Sequence, residues 1–325
     1  MKIGLIGPLN SDTKIDKIQN GLFQLGITPV HLGAYKSSSR INNFISTQVG
    51  DHFPFVNNFK NLNILNNAKQ FEIDFMINVE QEVHPKVISE LKSLGIPSAC
   101  WYPDGIGNIN PRQFLLFSEY KKIFMTDPEL VNRLSRLYDL PTEYLHESFD
   151  PDWHKPVGEF GIKKTCVVVG NYYPSRLHIL SKLQNLGIPL TLYGNPIPKW
   201  SQKAYGWKFK IMPPVTKLEK SRVFHEAQAV LNLVNLDDVQ STNQRLFEAA
   251  GAGAAIVMDR SDALASLFQE GKDVLMFNNF SELVSQIDRL LNDRQFGQRL
   301  GNAARARASE YTTQNRLTKI IESMV

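Results

Sequence analysis

The sequence predicts an α/β protein in which two doubly wound Rossmann-like domains face each other across a cleft. Short runs of β-branched or aromatic residues alternate with stretches of helical period along nearly all of the 325 residues. Such alternation is typical of parallel strands joined by helices. A connector at 149–158, which contains two prolines and a glycine, interrupts the pattern once, and we place the domain boundary there.

Each half of the chain repeats the unit strand, helix, glycine, strand. In the first half, an apolar stripe of helical period follows the first apolar run and ends at Gly26, and a second such stripe ends at Gly95. Helices often end at a glycine. We predict strands at 3–6, 29–32, 75–79, 98–102, 123–126 and 144–145, and helices at 15–25, 83–94 and 130–137.

The same pattern restarts after the connector and predicts a second parallel sheet. Its strands are expected at 167–169, 190–193, 207–211, 230–234, 255–258 and 274–277, its helices at 177–186, 218–229, 245–250 and 280–291, and a wholly helical tail at 294–325. The domains predicted on this basis are 1–155 and 156–308.

Charge, cysteine usage and hydropathy exclude several classes of protein. A net charge of +4 from 36 basic and 32 acidic residues is too balanced for a dedicated nucleic-acid binder. No apolar stretch approaches the roughly 20 residues that cross a bilayer, and the N-terminus breaks too soon for a signal peptide. Cys100 and Cys166 lie in apolar runs without metal or redox spacing, so we expect reduced, buried thiols and a cytoplasmic protein.

The residues that follow the first strand of the second half predict an anion-binding loop. In open α/β sheets, ligands bind beyond the carboxyl ends of the strands. Gly170 and Asn171 lead directly into a helix whose first turn carries Arg176. Glycine allows a ligand to approach the backbone, and a helix N-terminus with an arginine favours phosphate. The alternative is an arginine that only solvates the helix end.

A second candidate loop follows the predicted strand at 230–234. Small or polar residues, whose amides could hold a diphosphate, precede a helix with one carboxylate on its apolar face. The residues concerned are Gln240, Ser241, Thr242 and Asn243 in the loop, and Arg245 and Glu248 in the helix. A buried acid needs hydrogen-bond donors, and ribose hydroxyls are suitable ones. The alternative is that Glu248 caps a neighbouring backbone group or pairs with Arg245.

In the first half, the candidates also lie at strand ends. Gly7 and Pro8 follow the first strand but lack the third glycine of a dinucleotide fingerprint, so NAD or FAD binding is disfavoured. Trp101, Tyr102 and Asp104 lie at or just after the fourth strand. We predict that Asp104 is a general base toward an acceptor hydroxyl, although Pro-Asp-Gly is also a strong turn signal.

One acidic motif resembles a metal site. Asp150-Pro-Asp152 has the spacing that holds divalent ions beside nucleotide sugars, but its place in the connector rather than at a strand end favours a linker.

Several motifs together carry a resemblance to a known family. They are Pro174-x-Arg176, Leu192-Tyr193-Gly194, Leu231-Asn232-Leu233, Asn243-x-Arg245-x-Phe247-Glu248 with Gly253, Asp259-Arg260, Gly271-Lys272-Asp273-Val274, Tyr311-Thr312 with Arg316, Trp101-Tyr102-x-Asp104, Thr126-Asp127 and the connector at 149–156. With these motifs the chain resembles the GT-B glycosyltransferases, and among them the CgeB-like (spore maturation protein type) enzymes and their family 4 relatives.

The resemblance implies a nucleotide-sugar donor, with a UDP-sugar as the first expectation, held by the second domain without metal or cofactor. It implies Glu248 on the ribose, Arg176 and the amides of 241–243 near the diphosphate, and the base against 212–215, which includes Met212, Pro213 and Val215. Gly170, Asn171, Tyr193 and Arg245 complete the donor set. It also implies that the last helix, about 309–325, packs back on the first domain.

One position departs from the family 4 signature. That signature pairs two glutamates eight positions apart, whereas here the partner of Glu248 is Gln240. The predicted activity is hexosyl transfer to a hydroxyl acceptor in glycan, surface-polysaccharide or glycoconjugate synthesis. A nucleotide-sugar epimerase and a non-catalytic binding protein are the alternatives. Arginines of the tail at 294–307 suggest a contact with an anionic membrane surface, although a solvated helix face also explains them.

Overall fold

The computed structural model describes residues 1–33, 54–79, 83, 85–105, 107, 109, 114–197, 199–206, 209–236 and 240–325. Within them the chain forms two compact units. The first contains Met1–His146 and Thr313–Val325, and the second contains Glu147–Thr312. Each unit has one six-stranded sheet in which all neighbouring strands are parallel. The predicted fold class is therefore confirmed.

The first unit has the strand order β2-β1-β3-β4-β5-β6. Its strands are β1 (Lys2–Ile6), β2 (Thr28–Gly33), β3 (Phe75–Val79), β4 (Ser98–Tyr102), β5 (Lys122–Met125) and β6 (Thr142–Tyr144). Its helices are α1 (Lys14–Gln24), α2 (Pro54–Phe71), α3 (Pro85–Ser93), α4 (Pro128–Tyr138) and α12 (Thr313–Met324), with a 3₁₀ helix at Leu115–Glu119. Alternate residues of the strands enter two apolar clusters, one on each face of the sheet.

The C-terminal helix α12 packs on α1 in this unit. Leu317 and Ile320 share an apolar cluster with Ile18 and Leu22 of α1. Gly21 allows the close approach, because a Cβ at that position would lie 2.8 Å from Cδ1 of Leu317. The last residues of the chain therefore belong to the core of the first unit.

The second unit has the strand order β12-β11-β10-β7-β8-β9. Its strands are β7 (Lys163–Val169), β8 (Leu190–Tyr193), β9 (Ile211–Met212), β10 (Ala227–Asn232), β11 (Ile256–Asp259) and β12 (Leu275–Phe277). Its helices are α5 (Pro174–Asn185), α6 (Lys199–Tyr205), α7 (Lys217–Glu226), α8 (Gln244–Gly251), α9 (Asp262–Leu267), α10 (Phe280–Asn292) and α11 (Arg294–Ala308), with a 3₁₀ helix at Ser309–Tyr311.

Alternate residues of the central strands are buried on opposite faces of this sheet, which explains why helices cover both faces. Val167 and Val169 enter one apolar cluster, while Cys166 and Val168 enter the other. Both faces of a parallel sheet are apolar and need helical cover. Cys166 is buried and reduced, and burial raises the pKa of its thiol to about 12.

Several element boundaries differ from the prediction. β10 begins at Ala227 rather than 230, because α7 ends at Glu226 and the backbone of Ala227 is already extended. The strand predicted at 207–211 reduces to β9, which begins at Ile211; residues 207–208 lie outside the described part of the chain. α2, α6 and α9 were not predicted, because their sequences lack a clear apolar stripe between turn signals.

The tail is not one continuous helix, as the sequence pattern had predicted. A 3₁₀ turn follows α11, and Thr312 is extended, with φ −71° and ψ 157°. Thr312 forms a bridge with Phe149 and is the last residue of the second unit. The first unit ends at His146, earlier than the predicted boundary at 155, so the connector prolines lie within the second unit.

Among the described residues, no helix combines the length and the apolar character that a membrane span requires.

Candidate functional site

The second sheet has a topological switch point between β7 and β10. These strands are neighbours at the centre of the sheet, and the chain moves outward from them in opposite directions, through β8 and β9 on one side and β11 and β12 on the other. Ligands of open α/β sheets bind at the carboxyl ends of such strands. The two predicted donor loops, 170–176 and 240–245, follow β7 and β10 and lie at this point.

Gly170 allows a close approach of Arg245 to the first loop. Its φ is +125°, and a Cβ here would clash with Nη1 of Arg245. The same guanidinium donates to the carbonyl of Val169 at 3.1 Å. Gly194, at the end of β8, has a φ of +154° and would clash with the Gly170 carbonyl. Glycine is therefore required at both strand ends, and Arg245 lies directly beside the first loop.

Arg176 joins the first loop to the residue that follows β10. Its side chain is buried, and its two terminal nitrogens donate to the carbonyls of Asn171 and, at 2.6 Å, Leu233. Burial, with a smaller effect from Arg245, lowers the pKa of Arg176 to about 9, so the guanidinium is still protonated at neutral pH. Arg176 therefore fixes the first loop against the end of β10 while bringing a positive charge to the switch point.

The neighbouring strand ends are fixed in similar ways. The hydroxyl of Tyr172 donates to the carbonyls of Val168 and Tyr193, at 3.1 and 3.0 Å, and burial raises the pKa of this phenol. The Asn195 amide donates to Oδ1 of Asn171 at 3.2 Å. The loops after β7 and β8 are thus joined by side chains of both.

Met212 ends β9, and its carbonyl accepts from the amide of Gly194 at 3.1 Å. Pro213 follows and is exposed, while Val215 is buried in the core. The predicted base-binding segment therefore lies directly beside the end of β8.

The loop before α8 is largely buried. Gln240 is half-buried, and Ser241 and Thr242 are buried. The Thr242 hydroxyl is buried without a hydrogen-bond partner in the described part of the chain. Because buried hydroxyls are nearly always satisfied, this atom marks the loop as a place where a ligand group would be accommodated.

Asn243 closes this loop. It caps α8 by accepting from the Leu246 amide at 3.2 Å. Its side chain also exchanges two hydrogen bonds with Asn232, at 2.9 and 3.0 Å. The first turn of α8 is therefore tied to the end of β10, and the loop amides are held at the switch point.

Glu248 is buried on α8 beside two basic side chains. Nζ of Lys220, on α7, lies 2.8 Å from Oε2 of Glu248, and Nε2 of His154 lies 3.7 Å from Oε1. The sequence-based alternative of pairing with Arg245 did not anticipate these partners. A lysine–carboxylate pair of this kind keeps an otherwise costly buried acid ionised.

Lys220 and His154 were missed by sequence reasoning. Lys220 lies one turn before Phe224 and on the same buried side of α7 as Val223, so a lysine on an apolar helix face was an available signal. His154 lies in the connector, which was interpreted as a linker. Its amide and its Nδ1 both contact the carbonyl of Asp150, at 2.8 and 3.2 Å.

The Asp150-Pro-Asp152 motif forms a turn in the second unit. Oδ1 of Asp150 accepts from the backbone amide of Asp152 at 2.9 Å. Asp150 is fully buried, whereas Asp152 is exposed. The motif, which was predicted to belong to the linker, therefore forms a turn within the second unit.

In the first unit, the predicted acceptor-side residues lie at the carboxyl ends of β1 and β4. The carbonyl of Gly7 lies 2.9 Å from Nε2 of His31, and the carbonyl of Pro8 accepts from the Thr13 hydroxyl at 3.1 Å. Trp101 and Tyr102 end β4 and are buried, and Nζ of Lys14 lies 4.0 Å from the Trp101 ring centroid.

Asp104 follows these aromatic residues and is half-buried. The turn around it is fixed on both sides, since the Thr126 hydroxyl donates to the Pro103 carbonyl at 3.2 Å and the Tyr102 hydroxyl to the Gly105 carbonyl at 3.4 Å. A second carboxylate lies near the end of β1: Asp12, with φ +63°, pairs with Lys17 at 2.9 Å.

The first part of the second unit is rich in basic residues. Between Glu159 and Glu219 the sequence contains no acidic residue. The same segment, which supplies β7, β8 and β9, carries Lys163, Lys164, Arg176, Lys182, Lys199, Lys203, Lys208, Lys210 and Lys217. Such a segment favours an anionic ligand.

Comparisons with known proteins agree with this geometry. Residues 176–322 match a protein family described as glycosyl transferase-like. No curated protein matches the sequence. Among solved structures, sucrose-phosphate synthase from Thermosynechococcus elongatus is similar with a TM-score of 0.72 and 12% identity, covering 99% of this chain and 98% of that chain.

HepE of Anabaena, in complex with UDP-glucose, is similar with a TM-score of 0.68 and 13% identity over 100% of this chain and 99% of that chain. A glycosyltransferase from Rickettsia africae has a TM-score of 0.66 at 12% identity, over 99% and 97% of the two chains. At these identities the likeness shows the fold, which is that of the GT-B glycosyltransferases.

Proposed function

We propose that this protein, whose fold is that of the GT-B glycosyltransferases and whose residues 176–322 match a glycosyl transferase-like family, transfers a sugar from a nucleotide-diphosphate sugar to a hydroxyl acceptor. The observation that carries the proposal is the switch point between β7 and β10. Two loops rich in backbone donors meet there, with Arg176 and Arg245 beside them. This is an arrangement for binding a diphosphate.

The donor in this proposal is a UDP-sugar bound by the second unit. HepE, which has the same fold, was solved with UDP and glucose and with UDP-glucose. We assign the amides of Ser241, Thr242 and Asn243, and the charge of Arg176, to the diphosphate. The base lies against Met212, Pro213 and Val215, next to the end of β8 at Tyr193. These segments lie at the ends of four adjacent strands, β10, β7, β8 and β9, which supports the assignment.

Glu248 is assigned to the ribose hydroxyls. An ionised carboxylate accepts stronger hydrogen bonds than a neutral acceptor does, and the pairing with Lys220 supports the ionised form. Gln240, which stands where family 4 enzymes have a glutamate, is assigned to a sugar hydroxyl. Gly170 and Asn171 complete the donor loop after β7.

The departing diphosphate needs positive charge as the bond to the anomeric carbon breaks. Arg176, Arg245 and the N-terminus of α8 supply it in this proposal, without a metal ion or other cofactor. The acid-free segment between Glu159 and Glu219 adds to the same potential.

The acceptor is assigned to the first unit. Gly7 and Pro8, after β1, and Trp101 and Tyr102, at the end of β4, surround it. If configuration inverts, Asp104 removes the proton of the acceptor hydroxyl while that oxygen attacks the anomeric carbon and the nucleoside diphosphate leaves. If configuration is retained, Asp104 orients the acceptor. In the inverting case, Asp104→Asn is expected to lower kcat about 100-fold or more with little change in the KM for donor.

The CgeB-like subtype and a role in glycan or surface-polysaccharide synthesis are parts of the proposal that rest on sequence motifs, and a cytoplasmic location is a part that rests on the two cysteines in apolar runs. A peripheral contact with an anionic membrane is assigned to Arg299 and Arg305, which are exposed on α11. Arg294 and Arg307 instead donate hydrogen bonds to the carbonyls of Phe160 and Leu267. These two guanidinium groups are therefore bound to the protein itself.

Product analysis with UDP-glucose, UDP-galactose and UDP-N-acetylglucosamine tests the proposal. A transferase releases UDP at a rate that rises with a suitable acceptor, here a panel of mono- and oligosaccharides. An epimerase changes the sugar without any acceptor, and a binding protein leaves all donors intact. Either of these results would replace the proposed activity.

A further inference from the structure

Lys220 is a buried cation whose partner is the carboxylate that we assign to the donor ribose. The Lys220 side chain is 9% exposed and that of Glu248 is 2% exposed, with Nζ and Oε2 separated by 2.8 Å. Buried lysines are rare unless they are paired. A surface role for this lysine is therefore excluded, and its position must serve what lies around Glu248.

The element that carries Lys220 is rigid. α7 lies between β9 and β10, and Val223 and Phe224 fix its inner side in the same apolar cluster that contains Phe247 and Ala249 of α8. The ammonium and the carboxylate are thus presented by two helices that pack on each other. On the other side of the carboxylate, His154 lies 3.7 Å from Oε1 and is anchored to the carbonyl of Asp150.

This arrangement has a chemical consequence for Glu248. Without a nearby cation, a carboxylate buried among Phe247, Ala249 and Ala250 would favour its protonated form. The protonated form has lost a hydrogen-bond acceptor site. Lys220 supplies such a cation at 2.8 Å from Oε2, and the pair fixes the orientation of the carboxylate before any ligand arrives. Preorganisation of this kind lowers the entropic cost of binding.

We propose that Lys220 is a positioning residue for donor binding, acting through Glu248. The proposal rests on the assignment of Glu248 to the nucleotide and extends it. Lys220 makes no contact with the donor in this account. Lys220 instead sets the charge and the orientation of Glu248, which contacts the donor.

A double-mutant cycle read by calorimetric binding of UDP tests the proposal. The proteins are the parent, Lys220→Met, Glu248→Gln and the double variant. We expect Lys220→Met to weaken UDP binding about tenfold or more, since hydrogen bonds to a charged group are among the stronger ones. In the Glu248→Gln background the same change should have little further effect, because the carboxylate it orients is gone.

Two further variants separate positioning from mere stability. Lys220→Arg keeps a positive charge that can donate to the Glu248 carboxylate, so it is expected to bind UDP more tightly than Lys220→Met does. Lys122→Met is the control, because it removes a lysine–glutamate pair of 3.2 Å with Glu143 in the first unit and should leave UDP binding unchanged. If Lys220→Met does not fold, the cycle is run with Lys220→Gln.

The outcomes distinguish this inference from the proposed function. If Glu248→Gln weakens UDP binding but a folded Lys220→Met does not, the role of Lys220 is wrong while that of Glu248 stands. Independent effects of the two single substitutions on the Kd, multiplying in the double variant, would also overturn it. A parent protein that binds no UDP, UDP-glucose, GDP, dTDP or ADP overturns both.

Discussion

The side-chain amides of Asn232 and Asn243 exchange two hydrogen bonds, of 2.9 and 3.0 Å, between the end of β10 and the first turn of α8. Asn243 also caps α8, so one side chain both starts the helix and ties it to the sheet. The end of the loop that contains Ser241 and Thr242 is consequently held in place where the chain enters α8. This explains how a loop of small residues can keep its amides at the switch point.

Asn243→Ala is expected to lower the free energy of unfolding by about 2–4 kcal/mol, since it removes a helix cap and leaves the Asn232 amide in a buried setting without its partner. The matched control is Asn279→Ala, which removes the N-cap of α10. Urea unfolding should show a loss of about 1 kcal/mol for that control. Equal losses in the two variants would contradict the role of the Asn232 pair.

Gly170→Ala is expected to destabilise the protein and to displace Arg245. The backbone φ of +125° disfavours any side chain, and the added Cβ would clash with Nη1 of Arg245. Gly187→Ala is the control, because its φ of +78° carries strain but no atom lies within 4 Å of the new Cβ. Thermal unfolding should show a larger fall in Tm for Gly170→Ala, and nucleotide binding should weaken in that variant alone.

Asp259→Asn is expected to stabilise the protein at neutral pH. Burial raises the pKa of Asp259 above 3.8, despite the hydrogen bond from the Val234 amide and the nearby Arg176. The folded state therefore holds this proton more tightly than the unfolded state, so ionisation costs stability once the pH exceeds the folded-state pKa. The advantage of the variant should disappear as the pH falls toward 3.8. An advantage that does not change with pH would contradict this cause.

Removal of divalent ions is expected to leave sugar transfer unchanged. Asp150 serves a turn through the Asp152 amide, and the diphosphate charge is assigned to arginines. Initial rates with and without EDTA should agree within about twofold, for the parent and for Asp152→Asn alike. A loss of activity in EDTA that Mg²⁺ or Mn²⁺ restores would show that a metal takes part.

The fold was predictable because its signals are local and repeat. Runs such as Cys166–Val169 are apolar at every position, as a doubly covered parallel strand must be, and a glycine ends each of the first helical stripes. The start of β10 was not predictable, because Ala227-Gln228-Ala229 fits a helix and a strand equally well. The break at Thr312 was also missed, since its polar neighbours continue a helical pattern.

The candidate site was predictable where it follows strand ends, as Gly170, Arg176 and Asn243 do. Its pairings were not. Lys220 and Glu248 are brought together by the packing of α7 on α8, and nothing in either local sequence specifies that contact. Arg176 was expected to face a ligand, whereas its terminal nitrogens bond to loop carbonyls. The roles assigned to these residues remain predictions.

Calorimetric titration of UDP, GDP, dTDP and ADP into the parent protein and Glu248→Ala, with and without EDTA, tests the central claim most directly. The account predicts saturable binding of one nucleotide, with UDP as the first expectation, unaffected by EDTA and weakened about tenfold or more by Glu248→Ala. Equal affinity in the variant, or no binding of any nucleotide to the parent, would contradict the assignment of the donor site to the switch point between β7 and β10.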